Sequence, residues 1–270
     1  MFKKLEENKK GRDFVVGDIH GKFDELRKSL AIIEFNPNVD RLICLGDLID
    51  RGERSHEALS WLQQPWVESV KGNHEIMLCM GYKSANEIDG CEQWMSNCWM
   101  SPAGAGQWAL YLFDDLCADE FKEWHDTMEA LPLMMEIDVD GRRVGFIHAE
   151  MPNDIGWDEA KSILLDGDDP DGKYNDLHET LSWGQPRYAR YNMAVEYLDG
   201  MGAEHQLHID SKIDDVYCIF QGHTTLKPRD GFPLRIGNNF YLDMSDSVLK
   251  GEAPCFKVIN LKEFVKNLTL

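Results

Sequence analysis

The chain has 270 residues, 43% of them hydrophobic, enough for one sizeable α/β domain. Its formal net charge of -20 excludes a role in coating nucleic acid, where affinity comes from Lys and Arg displacing counterions, but leaves phosphorylated substrates open because divalent cations can reverse the field inside a small cleft. The first ten residues carry charge without an apolar core, no stretch reaches the ~20 apolar residues of a membrane helix, and the seven cysteines include no CxxC pair, so the expectation is a soluble cytoplasmic protein.

In chain order, Phe14-Val15-Val16 predicts a strand that ends in Gly17-Asp18-Ile19-His20-Gly21, after which Phe23, Leu26, Leu30 and Ile33 recur at helical spacing. Leu42-Ile43-Cys44-Leu45 predicts a second strand ending in Gly46-Asp47-Leu48-Ile49-Asp50-Arg51-Gly52, with Ser55 placed to cap a helix bearing Ala58, Leu59 and Leu62. Trp66 to Val70 predicts a third strand that ends in Gly72-Asn73-His74-Glu75, with Ile76, Met77 and Leu78 opening a third helix. The unit is βαβαβ, which implies parallel strands. From Tyr82 to Trp108 the chain carries Trp94, Trp99, Trp108, Gly104 and Gly106; a packed insertion serving as core is the preferred reading, and a wall of the substrate cleft is the functional one. Val144 to Ile147 predicts a strand ending in His148. The acidic stretch from Asp154 to Glu179 fails as a calcium loop, because Pro170 interrupts the ligand series and His178 stands where a bidentate Glu is required. It reads as a solvated loop. Val216 to Phe220 predicts the last strand of this kind, ending in Gly222-His223. A single domain over 1–270 is expected, with insertions at 82–108 and 154–180.

Open α/β sheets build their sites where strand ends converge on one edge. Asp18, His20, Asp47, Asn73, His148 and His223 all stand at such ends. This mixed nitrogen and oxygen set suits Mn, Fe or Zn better than Ca, and six ligands exceed what one catalytic ion takes from protein, so two metals are expected. Each cluster alone is ordinary, since Gly-Asp marks turns and Asn-His can cap a helix. Their joint occurrence, in order and followed by Ile147-His148-Ala149 and Gly222-His223-Thr224, is not.

From about Asp13 to about Asp243 these motifs resemble the PPP family of protein serine/threonine phosphatases within the calcineurin-like metallophosphoesterases. The small lambda-phage type is most similar, through His148-Ala149-Glu150-Met151-Pro152 and through Lys227-Pro228 after His223. The resemblance implies an α/β fold with a central β-sandwich of mixed sheets flanked by helices. It implies two divalent ions, manganese first and iron or zinc as alternatives, with Asp18, His20 and Asp47 on one and Asp47, Asn73, His148 and His223 on the other. His74 is then the general acid, Asp50 fixes its tautomer, and Arg51 is a planar fork for phosphate oxygens. The implied reaction is in-line hydrolysis of a phosphomonoester by a metal-activated water. Its substrates would be phosphorylated proteins or peptides, phosphotyrosine included, with small aryl phosphates as surrogates.

One departure concerns the family's second phosphate-binding Arg. Gln185 stands at its aligned position, so Arg187 is the candidate, ahead of Arg190. Symmetrical diadenosine tetraphosphatases share the three N-terminal clusters and are the rival reading; a catalytically silent phosphate-binding module is the third. Glu75 is expected to be structural, at the positive end of a helix dipole, and Gly17, Gly46 and Gly72 to be turn residues.

Overall fold

The computed structural model describes every residue except 90–91, 114–115, 117, 167–172, 202–211, 228–229 and 270. The elements run β1 (Phe2–Leu5), β2 (Asp13–Val16), α1 (Phe23–Ile32), β3 (Arg41–Cys44), a 3-10 turn (Ser55–Glu57) opening into α2 (Ala58–Leu62), β4 (Val67–Ser69), α3 (Asn73–Ala85), α4 (Gln93–Trp99), α5 (Trp108–Leu112) and α6 (Asp119–Glu129). There follow β5 (Met134–Val139), β6 (Arg142–Ile147), α7 (Trp157–Asp166), α8 (Lys173–Trp183), α9 (Pro186–Met201), β7 (Cys218–Gln221), β8 (Leu234–Ile236), β9 (Asn239–Tyr241), α10 (Ser245–Leu249), β10 (Ile259–Asn260) and α11 (Leu261–Asn267). One sheet has the order β10-β2-β3-β4, the other β1-β5-β6-β7-β9-β8. Strands β2, β3 and β4 are mutually parallel, as the βαβαβ pattern requires, and β6, β7 and β9 are parallel in the second sheet.

Alternation along the strands explains why the sheets stack. Val15, Ile43, Leu45, Val144, Phe146, Cys218 and Phe220 fill the space between them. Phe14, Val16, Leu42 and Cys44 point the other way, into a cluster with residues of α1 to α6. Ile147 and Ile219 point out of the second sheet, against Trp157, Ala160 and Leu164 of α7 and Leu177 and Leu181 of α8. Strands buried on both faces read as continuous apolar runs, and that is how these runs appear in the sequence. Because the parallel strands share register, their following loops leave at a common edge; Gly222 N–H donates to the His148 carbonyl there at 2.8 Å.

Two expectations change. The stretch expected as a solvated loop is mostly helical: α7 buries Trp157, Ala160 and Leu164, and α8 buries Leu177 and Leu181. Apolar spacing of three and four residues won over the acidic composition. The acidic core of that stretch, 167–172, lies outside the described residues, as does Pro228. Ser55 does not cap a helix; its hydroxyl donates to the Gly52 carbonyl at 3.0 Å. Among the described residues no helix is long and apolar enough to cross a membrane.

Lys71, just past β4, is 3% exposed and its ammonium donates to the Glu129 carbonyl at 2.8 Å and to Glu129 Oε2 at 3.0 Å, while Lys83 of α3 takes Oε1 at 2.9 Å. Burial pushes the Glu129 carboxyl up, but the two lysines, Lys71 foremost, hold it down at about 2. A carboxyl depressed by folding contributes stability above its unfolded value, and that stability is lost as pH falls through the folded one. Glu129→Gln should therefore lower the melting temperature at pH 7 by a degree or two, on the order of 0.5–1 kcal/mol once solvent screening of a carboxylate 44% exposed is allowed for. Melts repeated from pH 4.5 down to about 2 should show the difference from the parent closing; a constant gap would mean lost packing instead of a lost ion pair.

Candidate active site

Three loops meet at the C-terminal edge of β2, β3 and β4, and backbone hydrogen bonds fuse them. Ile19 and His20 N–H both donate to the Asp47 carbonyl, at 3.0 and 2.8 Å, and Gly21 N–H donates to the Leu48 carbonyl at 2.8 Å. On the other side, Asp47 and Leu48 N–H donate to the two oxygens of Glu75, each at 2.8 Å, and Gly72 N–H adds a third bond at 2.8 Å. Glu75 is structural, as expected, yet its work goes beyond the helix dipole: a fully buried carboxylate in the first turn of α3 ties down the β3 loop. Gly46 has the positive φ of a turn residue, 90°, whereas Gly72 is extended and glycine for want of room, since a Cβ there would lie 2.2 Å from Asp47 Oδ1.

Five of the predicted site residues, His20, Asp47, Asp50, Arg51 and His223, have positive φ between 45° and 70°. Left-handed backbone at non-glycine residues costs on the order of 1 kcal/mol or more each and persists where surrounding structure over-determines it.

The six predicted ligands come together. Asn73 Oδ1 lies 2.9 Å from His148 Nε2 and 3.0 Å from His223 Nδ1. Asp47 reaches His148 Nε2 with Oδ1 at 3.4 Å and His20 Nε2 with Oδ2 at 3.6 Å. Asp18 accepts His223 N–H at 3.0 Å. The residues fit two cations, and the ring nitrogens show why. His20 Nδ1 sits 2.9 Å from the Ile49 carbonyl and His148 Nδ1 2.7 Å from the Leu45 carbonyl, contacts that place the ring proton on Nδ1. In the neutral ring Nε2 then presents a lone pair, and for His148 that lone pair faces an amide oxygen. Two acceptors 2.9 Å apart repel unless a cation or a proton lies between them.

Protons are disfavoured there. Burial, then His74, pushes His20 well below its ordinary value, and burial, then His148, takes His223 down to about 3. Burial pushes Asp47 up, but His148, His74, His20 and His223 outweigh it and hold the carboxyl well below the usual range. Asp18 is driven well up by burial and by Asp243 and Asp47.

Beside this set, His74 Nδ1 donates to Asp50 Oδ2 at 2.6 Å, and the Arg51 guanidinium donates to His74 Nε2 at 3.3 Å. Burial lowers His74, while Asp47 and the Asp50 hydrogen bond lift it above its ordinary value. Arg51 is exposed, at the mouth of the site.

Arg187 is not brought to this group. It is 2% exposed, and its guanidinium donates to the Met151 and Pro152 carbonyls beside Glu150, so it braces the segment after His148. Arg190 is exposed and bonds Asn153, and Gln185 is exposed.

Sequence reasoning passed over Asp243 and did not foresee the hydrogen bonds of Trp99 and Trp108. Asp243 is 1% exposed, with Oδ1 accepting from Ser245 N–H and Oδ2 from the Thr225 hydroxyl, and it faces Asp18. It follows the apolar run Phe240-Tyr241-Leu242, so the rule that found the other strand ends would have found it. Trp99 and Trp108, whose indoles donate to Asp50, carry no local signal.

The model of the calcineurin-like phosphoesterases matches residues 14–225. Serine/threonine-protein phosphatase 2 of Escherichia coli K12 is 38% identical over 158 residues, 56% of this chain and 66% of that protein. Its Salmonella typhimurium counterpart aligns over 64% of its length, so the chain spans just under two thirds of these two relatives. Serine/threonine-protein phosphatase 1 of Salmonella typhimurium is 27% identical over 90% of both chains, and a symmetrical bis(5'-nucleosyl)-tetraphosphatase of Actinobacillus succinogenes is 30% identical over 57% of this chain and 52% of its own. Among solved structures, a cold-active protein tyrosine phosphatase superposes with a TM-score of 0.51 over 94% of this chain and 74% of its own, at 16% identity, which speaks to the fold alone.

The Glu75 bonds are directly testable. An amide in place of the carboxylate would turn an NH2 group toward a backbone N–H, so Glu75→Gln should cost about 2–3 kcal/mol in denaturant unfolding. It should also lower metal content, because Asp47 and Asn73 lose their common brace; unchanged stability would mean the three N–H groups find other partners.

Proposed function

The chain belongs to the calcineurin-like phosphoesterase family, and from that premise we propose that it is a metal-dependent phosphomonoester hydrolase acting on phosphorylated serine and threonine side chains. The observation that carries the reading is the gathering of six ligand-type side chains, Asp47 among them, with the His74–Asp50 pair and Arg51 alongside. A silent phosphate binder would have no use for the buried pair. The name of the Salmonella relative aligned along 90% of its length supports a phosphoprotein substrate.

Asp18, His20 and Asp47 would hold one cation and Asp47, Asn73, His148 and His223 the other, with manganese as the proposed metal. When bound, the ions supply an acidified water and neutralise phosphoryl charge. The chain's own residues do the rest. Arg51 offers a planar fork of donors to phosphoryl oxygens, which restricts the ester's orientation. His74, with Nδ1–H committed to Asp50, presents Nε2 as the atom that carries the proton to the leaving alkoxide as the P–O bond breaks. Asp50, buried and accepting from Nδ1–H, would stabilise the imidazolium before transfer.

Metal-stripped protein should hydrolyse p-nitrophenyl phosphate and a phosphothreonine peptide only after manganese is added, with little turnover of diadenosine tetraphosphate. A clear preference for the dinucleotide would move the assignment to the activity named for the Actinobacillus relative. His74→Asn should lower kcat on the peptide by about 10²–10⁴ while metal analysis still finds both ions. Asp47→Asn should lose metal outright. A His74→Asn protein short of metal would contradict the acid role.

A further inference from the structure

Asp50 is completely buried, and among the described residues its carboxylate takes hydrogen bonds from three side chains. His74 Nδ1–H binds Oδ2. The Trp99 indole N–H lies 3.2 Å from Oδ1 and 3.1 Å from Oδ2, and the Trp108 indole N–H donates to Oδ1 at 2.6 Å. The two indoles arrive from 49 and 58 residues away, on α4 and α5 of the Tyr82–Trp108 segment.

The chemistry of the donor matters. An indole N–H is neutral and can only donate. It satisfies lone pairs that burial would leave unpaired without cancelling the negative charge, so the full carboxylate still acts on the imidazole. An Arg or Lys in the same place would compete with His74 for that charge. The rings are also held firmly. Trp99 is wedged between Gly81 of α3 and Gly106, where a Cβ on either glycine would come within 2.4 Å of the ring, and it stacks on Phe121. Trp108 packs on Trp124 with centroids 5.2 Å apart. The helix that starts with Asn73 and His74 is thus the one that clamps Trp99 two turns later.

We propose that Trp99 and Trp108 are positioning residues for the proton-donating pair, fixing the Asp50 carboxylate so that His74 keeps Nε2 turned toward the leaving oxygen. This rests on the hydrolase reading above. Its consequence is selective: alkoxide leaving groups need the proton, whereas p-nitrophenolate departs without one.

The test uses manganese-loaded protein and Trp108→Phe, which keeps an aromatic ring against Trp124 and removes the N–H. On the phosphothreonine peptide kcat should fall about 10-fold to 100-fold with KM within about twofold, and on p-nitrophenyl phosphate the loss should stay within about threefold. Trp108→Phe added to Asp50→Asn should cost no more than about twofold beyond Asp50→Asn alone, as expected for groups acting as a unit. Equal losses on both esters, or additive losses, would overturn the proposal. A second measurement needs no turnover. In zinc-loaded, nitrogen-15-labelled protein the Trp108 indole proton, assigned as the resonance that Trp108→Phe removes, should move upfield in Asp50→Ala; an unmoved resonance would also overturn it. Failure of the parent protein to hydrolyse either ester would sink the hydrolase reading, while the indole shift would still decide whether the hydrogen bond exists.

Discussion

Everything at the sheet edge hangs from one buried carboxylate. Glu75 accepts three backbone N–H groups, from Asp47, Leu48 and Gly72, and so joins the loop after β3 to the first turn of α3. The Asp47 and Leu48 carbonyls in turn accept from Ile19, His20 and Gly21, which brings in the loop after β2. A two-residue backbone segment is thereby bonded on both sides. That bracing offsets the left-handed conformations at His20, Asp47, Asp50 and Arg51, none of which an isolated loop would hold. Burial first, and then the neighbouring Asp47, push the Glu75 carboxyl up to about 7, against the three N–H groups that hold it down.

The same crowding makes a cation the natural occupant. Asp18, Asp243 and Glu75 are all raised by burial, so the pocket holds more carboxylate than it can comfortably ionise. Protonating the histidines would relieve this, but burial drives His20 and His223 down. Divalent charge bound by these residues would satisfy the carboxylates, the imidazole lone pairs and Asn73 Oδ1 together, whereas protons would satisfy one group at a time. The acceptor contact between His148 Nε2 and Asn73 Oδ1 expresses the same demand in a single distance.

The six ligand-type residues were legible in the sequence because each sits a few residues past an apolar strand, and strand ends at one edge are brought together by topology alone; the pairing of His74 with Asp50 was legible only through the resemblance. The sandwich was legible only through resemblance, since periodicity does not say that two sheets stack. Helices α7 and α8 were missed because acidic residues dominate the stretch and hide the spacing of Trp157, Ala160 and Leu164. Arg187 was misplaced for a different reason. Position near a motif does not reveal whether a guanidinium turns inward, and here the carbonyls of Met151 and Pro152 beside the buried Glu150 captured it. Trp99 and Trp108 were seen as either core or cleft wall, a choice that assumed one role per ring; a buried indole presents an apolar body to its neighbours and a single polar tip to a partner.

That dual character divides the site between two parts of the fold. The ligand-type side chains belong to strand ends and the start of α3, enclosed by the sandwich and its neighbouring loops. The His74–Asp50 pair leans instead on a helical segment packed outside the four-stranded sheet, in the cluster that holds Trp99, Phe121 and Trp124. Trp108 opens α5 with its indole turned inward, while Leu110, Tyr111 and Leu112 of the same helix are exposed. The ligand-type cluster is therefore braced by the Glu75 carboxylate and by backbone bonds between loops, while the His74–Asp50 pair depends on side chains of the helical segment. Under the proposed positioning role, sequence variation in α4 and α5 reaches Asp50 through the two indole N–H groups, and would alter how readily a poor leaving group departs more than how the phosphoryl group is bound.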